Sequence, residues 1–160
     1  MSTNTYVALQ TQVLGSAQSS VTFSSIPQTY TDLVLIISGV QTIDDNIILQ
    51  FNSDTSNNYS VTTIYGSGSS AVSFRGSNQN SAQLGGMNTS GIGNIIAHIM
   101  NYSNTTTYKT ILNRANSTGL TQARVNLWQK QYAITSILVG TGSGNMAAGT
   151  TLTLYAIQAA

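Results

Sequence analysis

The sequence predicts an all-β protein, either a sandwich or a barrel. Three observations carry that expectation. Helix formers are scarce, with no Glu, two Lys and no sustained 3.6-residue periodicity. Ser and Thr make up 43 of the 160 residues, a composition suited to strands and turns more than to helix interiors. Short apolar runs recur about every 8–15 residues, with Gly, Asn and Ser between them.

Strands are expected near 5–9, 19–24, 32–38, 46–52, 59–65, 71–75, 94–101, 107–114, 121–128, 133–139 and 150–157. In "NIILQF" (46–51), Ile47, Leu49 and Phe51 share one face, with Ile48 and Gln50 on the other. In "TTLTLYAI" (150–157), Leu152, Leu154 and Ala156 alternate with Thr151, Thr153 and Tyr155, the pattern of a half-buried strand. "DLVLII" (32–37) is apolar on both faces, which predicts a strand placed centrally in a sheet. Pro27, the lone proline, precedes that strand and suits a turn. Three polar stretches read as flexible loops: 66–70, 76–93 and 140–149. The middle one is the longest and could contact a neighbour. No linker or repeat period divides the chain, so one domain is expected. Residues 1–18 form either an N-terminal arm or the first strand, and 19–160 form the sandwich.

Charge narrows the function. Charged residues make up 6% of the chain, against about 25% in an average soluble domain. All four acids (Asp32, Asp44, Asp45, Asp54) lie in the first 54 residues. All five bases (Arg75, Lys109, Arg114, Arg124, Lys130) lie from residue 75 onward. A near-neutral surface favours association, which suits a subunit covered by its own copies or by a larger assembly. The acid-first, base-later division fits head-to-tail contacts, and chance placement of nine charges fits equally well. Five scattered bases make no stripe for nucleic acid. Without cysteine there are no disulfides or thiolate metal sites. No apolar run reaches the roughly 18 residues of a membrane span, and the first residues lack the pattern of a signal peptide. A soluble chain made in the cytoplasm is expected.

The catalytic inventory is thin. His98, the single histidine, shares a strand face with Ile96 and Met100 in "NIIAHIMN", and a hydrogen-bonded strand residue is the plainer reading. No G-x-S-x-G motif occurs, and no Asp stands in a triad order with His98. Asp44 and Asp45 are adjacent in "TIDDN", which reads as a turn. No enzyme is expected. In "FNSDTSNNYS" (51–60), Asn52, Asp54, Ser56 and Asn58 loosely resemble a calcium loop, but the closing bidentate Glu is missing. No metal or cofactor is expected. Tyr102, Tyr108, Trp128 and Tyr132 are the candidate interface or ligand contacts, since exposed aromatics would make a sugar-stacking platform. The alternative is that Trp128 closes a strand end and packs at the core edge.

Five N-x-[ST] triplets occur, at Asn58, Asn88, Asn101, Asn104 and Asn116. About four are expected by chance from this composition, so they say nothing of glycosylation. The overlapping pair in "IMNYSNTTTYKTIL" (99–112) reads as strand, polar turn, strand.

Four stretches carry a family likeness: "SSVTFSSIPQTYTDLVLIISG" (19–39), "ILQFNSDTSNNYSVTTIYGSGSS" (48–70), "IMNYSNTTTYKTILNRAN" (99–116) and "AITSILVGTGSGNMAAGTTLTLYAI" (133–157). Together they resemble small jelly-roll-type virion proteins of tailed bacteriophages, cyanophages and other marine phages in particular. Where relatives end the last strand in "LYGI", this chain has "LYAI", with Ala156 in place of Gly. The resemblance implies a single antiparallel β-sandwich of jelly-roll type. It further implies a virion location and a homo-oligomer, a trimer by analogy. The partner would be the major capsid protein, for a decoration or cement protein. A tail protein is the alternative partner, for a receptor- or glycan-binding domain of a tail fibre.

Overall fold

The structure, a computed structural model, describes residues 5–158. Among them every regular element is a strand. The strands are β1 (Tyr6–Val13), β2 (Ser20–Phe23), β3 (Asp32–Gly39), β4 (Asp45–Phe51), β5 (Tyr59–Gly66) and β6 (Ala71–Gln79). They continue with β7 (Ala82–Met87), β8 (Gly93–Ile99), β9 (Lys109–Ser117), β10 (Leu120–Trp128), β11 (Ile137–Thr141) and β12 (Thr151–Ile157).

Two antiparallel sheets form a β-sandwich of jelly-roll type. The larger has eight strands in the order β1-β12-β3-β8-β9-β10-β5-β6, and the smaller has four, β2-β11-β4-β7. Alternation along each strand sends one set of side chains into the space between the sheets. Leu33, Leu35 and Ile37 of β3 meet Leu49 and Phe51 of β4 and Ile137 and Val139 of β11 in one buried cluster. Such a core of fully buried branched and aromatic side chains is the main force holding the sheets together.

The structure corrects two details of the sequence reading. The segment 76–93 is not one long loop: β6 runs on to Gln79, and β7 occupies its centre. The strand expected from residue 133 starts at Ile137, four residues later. Within residues 1–18, β1 pairs with β12 along Tyr6–Val13, and residues 1–4 lie outside the described residues. β3 sits inside the large sheet as expected, with its inner face covered throughout. Ile36, on the outer face, is 39% exposed.

β7 escapes the strand pattern because its sequence, "AQLGGM", holds two glycines and no β-branched residue. The glycines have reasons. A Cβ on Gly85, whose φ is +103°, would stand 2.5 Å from the Gln122 side-chain amide, and one on Gly86 would stand 2.7 Å from the Asp45 carbonyl oxygen. The pairing of β4 with β7 also shifts register between Ile47 and Ile48, a bulge opposite these residues. β7 is the outer edge of the smaller sheet, and β5 and β6 of the larger sheet extend beyond it.

Candidate functional site

The four aromatic candidates separate into two classes. Trp128 is 1% exposed, packed edge-on against Phe51 (centroids 5.4 Å apart) and stacked on Tyr59 (6.3 Å). Tyr102 is fully buried, and its hydroxyl donates to the Pro27 carbonyl. Neither offers a face to a ligand. Tyr108 and Tyr132 are exposed, at 52% and 63%. The structure therefore assembles no platform from the four.

The loop with calcium-like spacing is built around Asp54. Its carboxylate accepts hydrogen bonds from Trp128 Nε1 (2.8 Å), from the Asn58 amide (2.9 Å) and from the Ser56 backbone N–H (3.0 Å). Partial burial pushes the Asp54 carboxyl up, but the bonds from Trp128, Asn58 and Ser56 outweigh it and hold the group below its ordinary value. Asn52, at a left-handed φ of 53°, turns its Oδ1 to the Thr135 and Ser136 backbone N–H groups. The oxygens that suggested a metal loop thus tie β4, β10 and the 133–136 segment together. No cluster of three or more His, Cys, Asp or Glu occurs among the described residues.

His98 is a half-buried strand residue whose Nε2 lies 3.0 Å from Asp32 Oδ2. Among the described residues this is the one ion-pair contact within 4.0 Å. It sits on the outer face of the eight-stranded sheet. Strand register defines that face: one row runs Ile36, Ile96, Arg114, Ala123, Ile64 across β3, β8, β9, β10 and β5. The next runs Val34, His98, Leu112, Val125, Thr62, ending at Arg75 on β6. Leu112, Val125 and Ile64 are 52%, 46% and 61% exposed. Two shallow apolar depressions, of about 420 and 310 Å³, flank Arg114 on this face. Six strands at sheet spacing make the face roughly 24 Å wide.

The opposite, inward face of the same sheet carries a different chemistry. Where β7 ends the smaller sheet, β10 turns Gln122, Arg124 and Asn126 inward. Arg124 is 6% exposed and donates to Gln122 Oε1 (2.8 and 3.1 Å) and to Gln83 Oε1 (3.2 Å). No carboxylate lies within ion-pair distance of it among the described residues. Burial lowers the Arg124 pKa, because the cation has lost water and gained no counter-ion. A groove of about 370 Å³ opens beside it, lined also by Asp44, Asp45 and Asn88. Asp45 is held by Ser143 and the Asn46 N–H, and Asp44 accepts from the Thr89 N–H through one oxygen. Along the same inward face, Arg124 is followed by Thr63 and Phe74, and Gln122 by Tyr65 and Val72. Tyr65 and Phe74 pair edge-to-face at 6.5 Å, and Phe74 is exposed. Thr63 is buried with no partner for its Oγ1. The sequence holds one trace of this arrangement, the polar alternation of "QARVN" (122–126) inside a strand.

No family model and no curated protein matches the sequence. The fold is similar to several solved structures. An exo-inulinase from Aspergillus awamori aligns over 96% of this chain and 29% of its own, at 10% identity and a TM-score of 0.43. The chain thus spans under a third of that enzyme. The alginate lyase Aly36B aligns over 92% and 77%, at 7% identity and 0.36. A PL-14 alginate lyase from Aplysia kurodai aligns over 95% and 80%, at 11% and 0.32. These matches correct one expectation: the chains of similar fold are enzymes, so the exclusion of catalysis drawn from a thin motif inventory does not stand. At such identities the likeness concerns the fold and carries over no reaction or substrate.

Proposed function

We propose that the chain is a virion structural protein acting by assembly, as a capsid decoration protein seated on the major capsid protein and on copies of itself. The observation that supports this reading is the outer face of the eight-stranded sheet. Ile36, Ile64, Leu112 and Val125 leave it apolar and uncovered, on a protein with only nine charged side chains among 160 residues. A contiguous exposed apolar patch of this kind marks an interaction surface. The face bears the cations Arg75 and Arg114 and, beside His98, the carboxylate of Asp32. A heterologous contact made through this face closes into a ring such as the trimer that the family resemblance implies. A subunit that binds only the assembled shell stabilises it by mass action.

The test is location and attachment. Quantitative mass spectrometry of virions is expected to count hundreds of copies per particle, and the purified protein is expected to bind undecorated capsids saturably. A count of a few tens, with no capsid binding, would replace decoration by a tail location.

A further inference from the structure

The concave groove at Arg124 is not used by an assembly contact on the outer face, and its chemistry is unusual for a structural interior. A buried guanidinium without a carboxylate costs folding free energy, because desolvation is not repaid by a counter-charge. Its donors are only partly engaged: Gln122 and Gln83 take three of its N–H groups, and a guanidinium has five. The groove that it borders has a volume within the range of about 300–1,000 Å³ typical of small-ligand sites.

The ligand class follows from what each wall accepts. Arg124 suits a planar, singly charged carboxylate, which its fork binds through two parallel bonds. Asp44 and Asp45, which also line the groove, accept only donors, and they repel the dense charge of phosphate chains more than a single carboxylate paired with Arg124. Asp44 retains one carboxylate oxygen with no hydrogen bond among the described residues. The ligand therefore carries a carboxylate and hydroxyl groups together. On the same face, Tyr65 stands one strand outward beside Gln122, and Phe74 two strands outward from Arg124, roughly 10 Å away; the two form an aromatic pair. An aromatic surface beside a hydroxyl-binding groove suits the apolar face of a sugar ring.

We infer that this groove binds an acidic saccharide of at least two rings. Arg124 takes the uronate carboxylate of one ring, Asp44 accepts its hydroxyl protons, and Tyr65 with Phe74 stacks the next ring. Gln83 and Gln122 hold the guanidinium in place and are positioning residues. The site is independent of the assembly reading, and it survives if that reading fails.

The test titrates the full chain with tetragalacturonate, with the matching neutral galactose tetramer and with sodium acetate, followed by amide NMR. Tetragalacturonate is expected to shift the resonances of Gln83, Gly86 and Gln122. The neutral tetramer and acetate are each expected to bind at least about tenfold more weakly. Arg124→Met should abolish binding; because it removes an uncompensated charge but also the donors to Gln122 Oε1 and Gln83 Oε1, a melting curve checks that the variant is folded. Should that variant not fold, Phe74→Ala, at an exposed position, should weaken binding about fivefold with melting unchanged. Equal binding of the neutral tetramer or of acetate would overturn the inference. So would no response to millimolar tetragalacturonate, or full binding by a folded Arg124→Met or Phe74→Ala variant.

Discussion

The side-chain amide of Asn126 on β10 pairs with the backbone of Gln83 on β7 as though it were a strand residue. Its Nδ2 donates to the Gln83 carbonyl at 3.0 Å, and its Oδ1 accepts from the Gln83 N–H at 2.8 Å. A second amide nearby, Asn113 on β9, donates to the Leu84 carbonyl at 2.6 Å and accepts from Asn126 at 3.2 Å. Side chains of the large sheet thus satisfy the backbone of the small sheet's edge strand. An edge strand presents a row of unpaired N–H and C=O groups, and here part of that row is closed from inside the sandwich.

Asn126→Leu should therefore be among the most damaging substitutions in the chain. It leaves a buried N–H and a buried C=O unsatisfied at Gln83 and one amide oxygen unpaired at Asn113. The expected loss is about 2–4 kcal/mol, because each orphaned group costs about 1–3 kcal/mol and partial relaxation recovers some of it. Urea denaturation measures the loss, and amide exchange at Gln83 should accelerate with it. A variant as stable as the parent, with Gln83 still protected, would show that β7 does not depend on this bond.

The Asp54 carboxylate gives the protein an acid limit. Its folded pKa lies below the ordinary value of 3.8, so in acid the unfolded chain binds this proton more readily than the folded one. The stabilisation is full above the ordinary value and is lost as pH falls through the folded value. Unfolding free energy should drop below about pH 4, and Asp54→Asn should flatten that drop. Denaturation series at several acidic pH values compare the two slopes. Parallel slopes would place the acid sensitivity on other carboxylates.

Gly85 sets the distance between β7 and β10. Alanine there meets the Gln122 amide carbon and nitrogen at 2.6 and 2.5 Å, on a backbone with φ of +103°. Strain of that kind costs of order 1–3 kcal/mol. Gly85→Ala is expected to lose about that much stability in urea and to displace Gln122 from Arg124. Gly68→Ala, also at positive φ but with open space around its Cβ, should carry the smaller penalty of the backbone alone.

These positions show what was legible in the sequence. Strands with strict alternation, such as 46–51 and 150–157, could be placed because each has one covered face. The pattern in "DLVLII" says that both faces are apolar, but not that one of them lies open. β7 was invisible because close approach to Gln122 and Asp45 selects glycine over strand formers. Trp128 illustrates the same limit. A lone indole beside polar residues reads equally as a ligand platform or as a core edge. What decides it is Asp54, 74 residues away in sequence and 2.8 Å away in space. The buried cations are a third case: Lys109 is fully buried, its ammonium donating to the Thr107 carbonyl. Only strand phase separates them from the exposed Arg114: Lys109 alternates with Ile111 and Ala115, and Arg124 with Gln122 and Asn126, on the inward faces of their strands.

The outer face of the eight-stranded sheet yields the sharpest separation of assembly from folding. Leu112 and Val125 are cross-strand neighbours there, each about half exposed. Leu112→Lys puts a charge on the patch without opening a cavity, so the monomer's stability should change by only about 0.5 kcal/mol. Attachment to undecorated capsids should nevertheless fall about tenfold or more, since desolvating a new cation at an interface core is costly. Thr22→Lys, exposed on β2 in the smaller sheet, adds the same charge on the other side of the sandwich. It is expected to leave attachment unchanged. Sedimentation of capsid mixtures measures both. If Leu112→Lys attaches as the parent does while Thr22→Lys fails, the smaller sheet is the docking face and the assembly reading must be turned over.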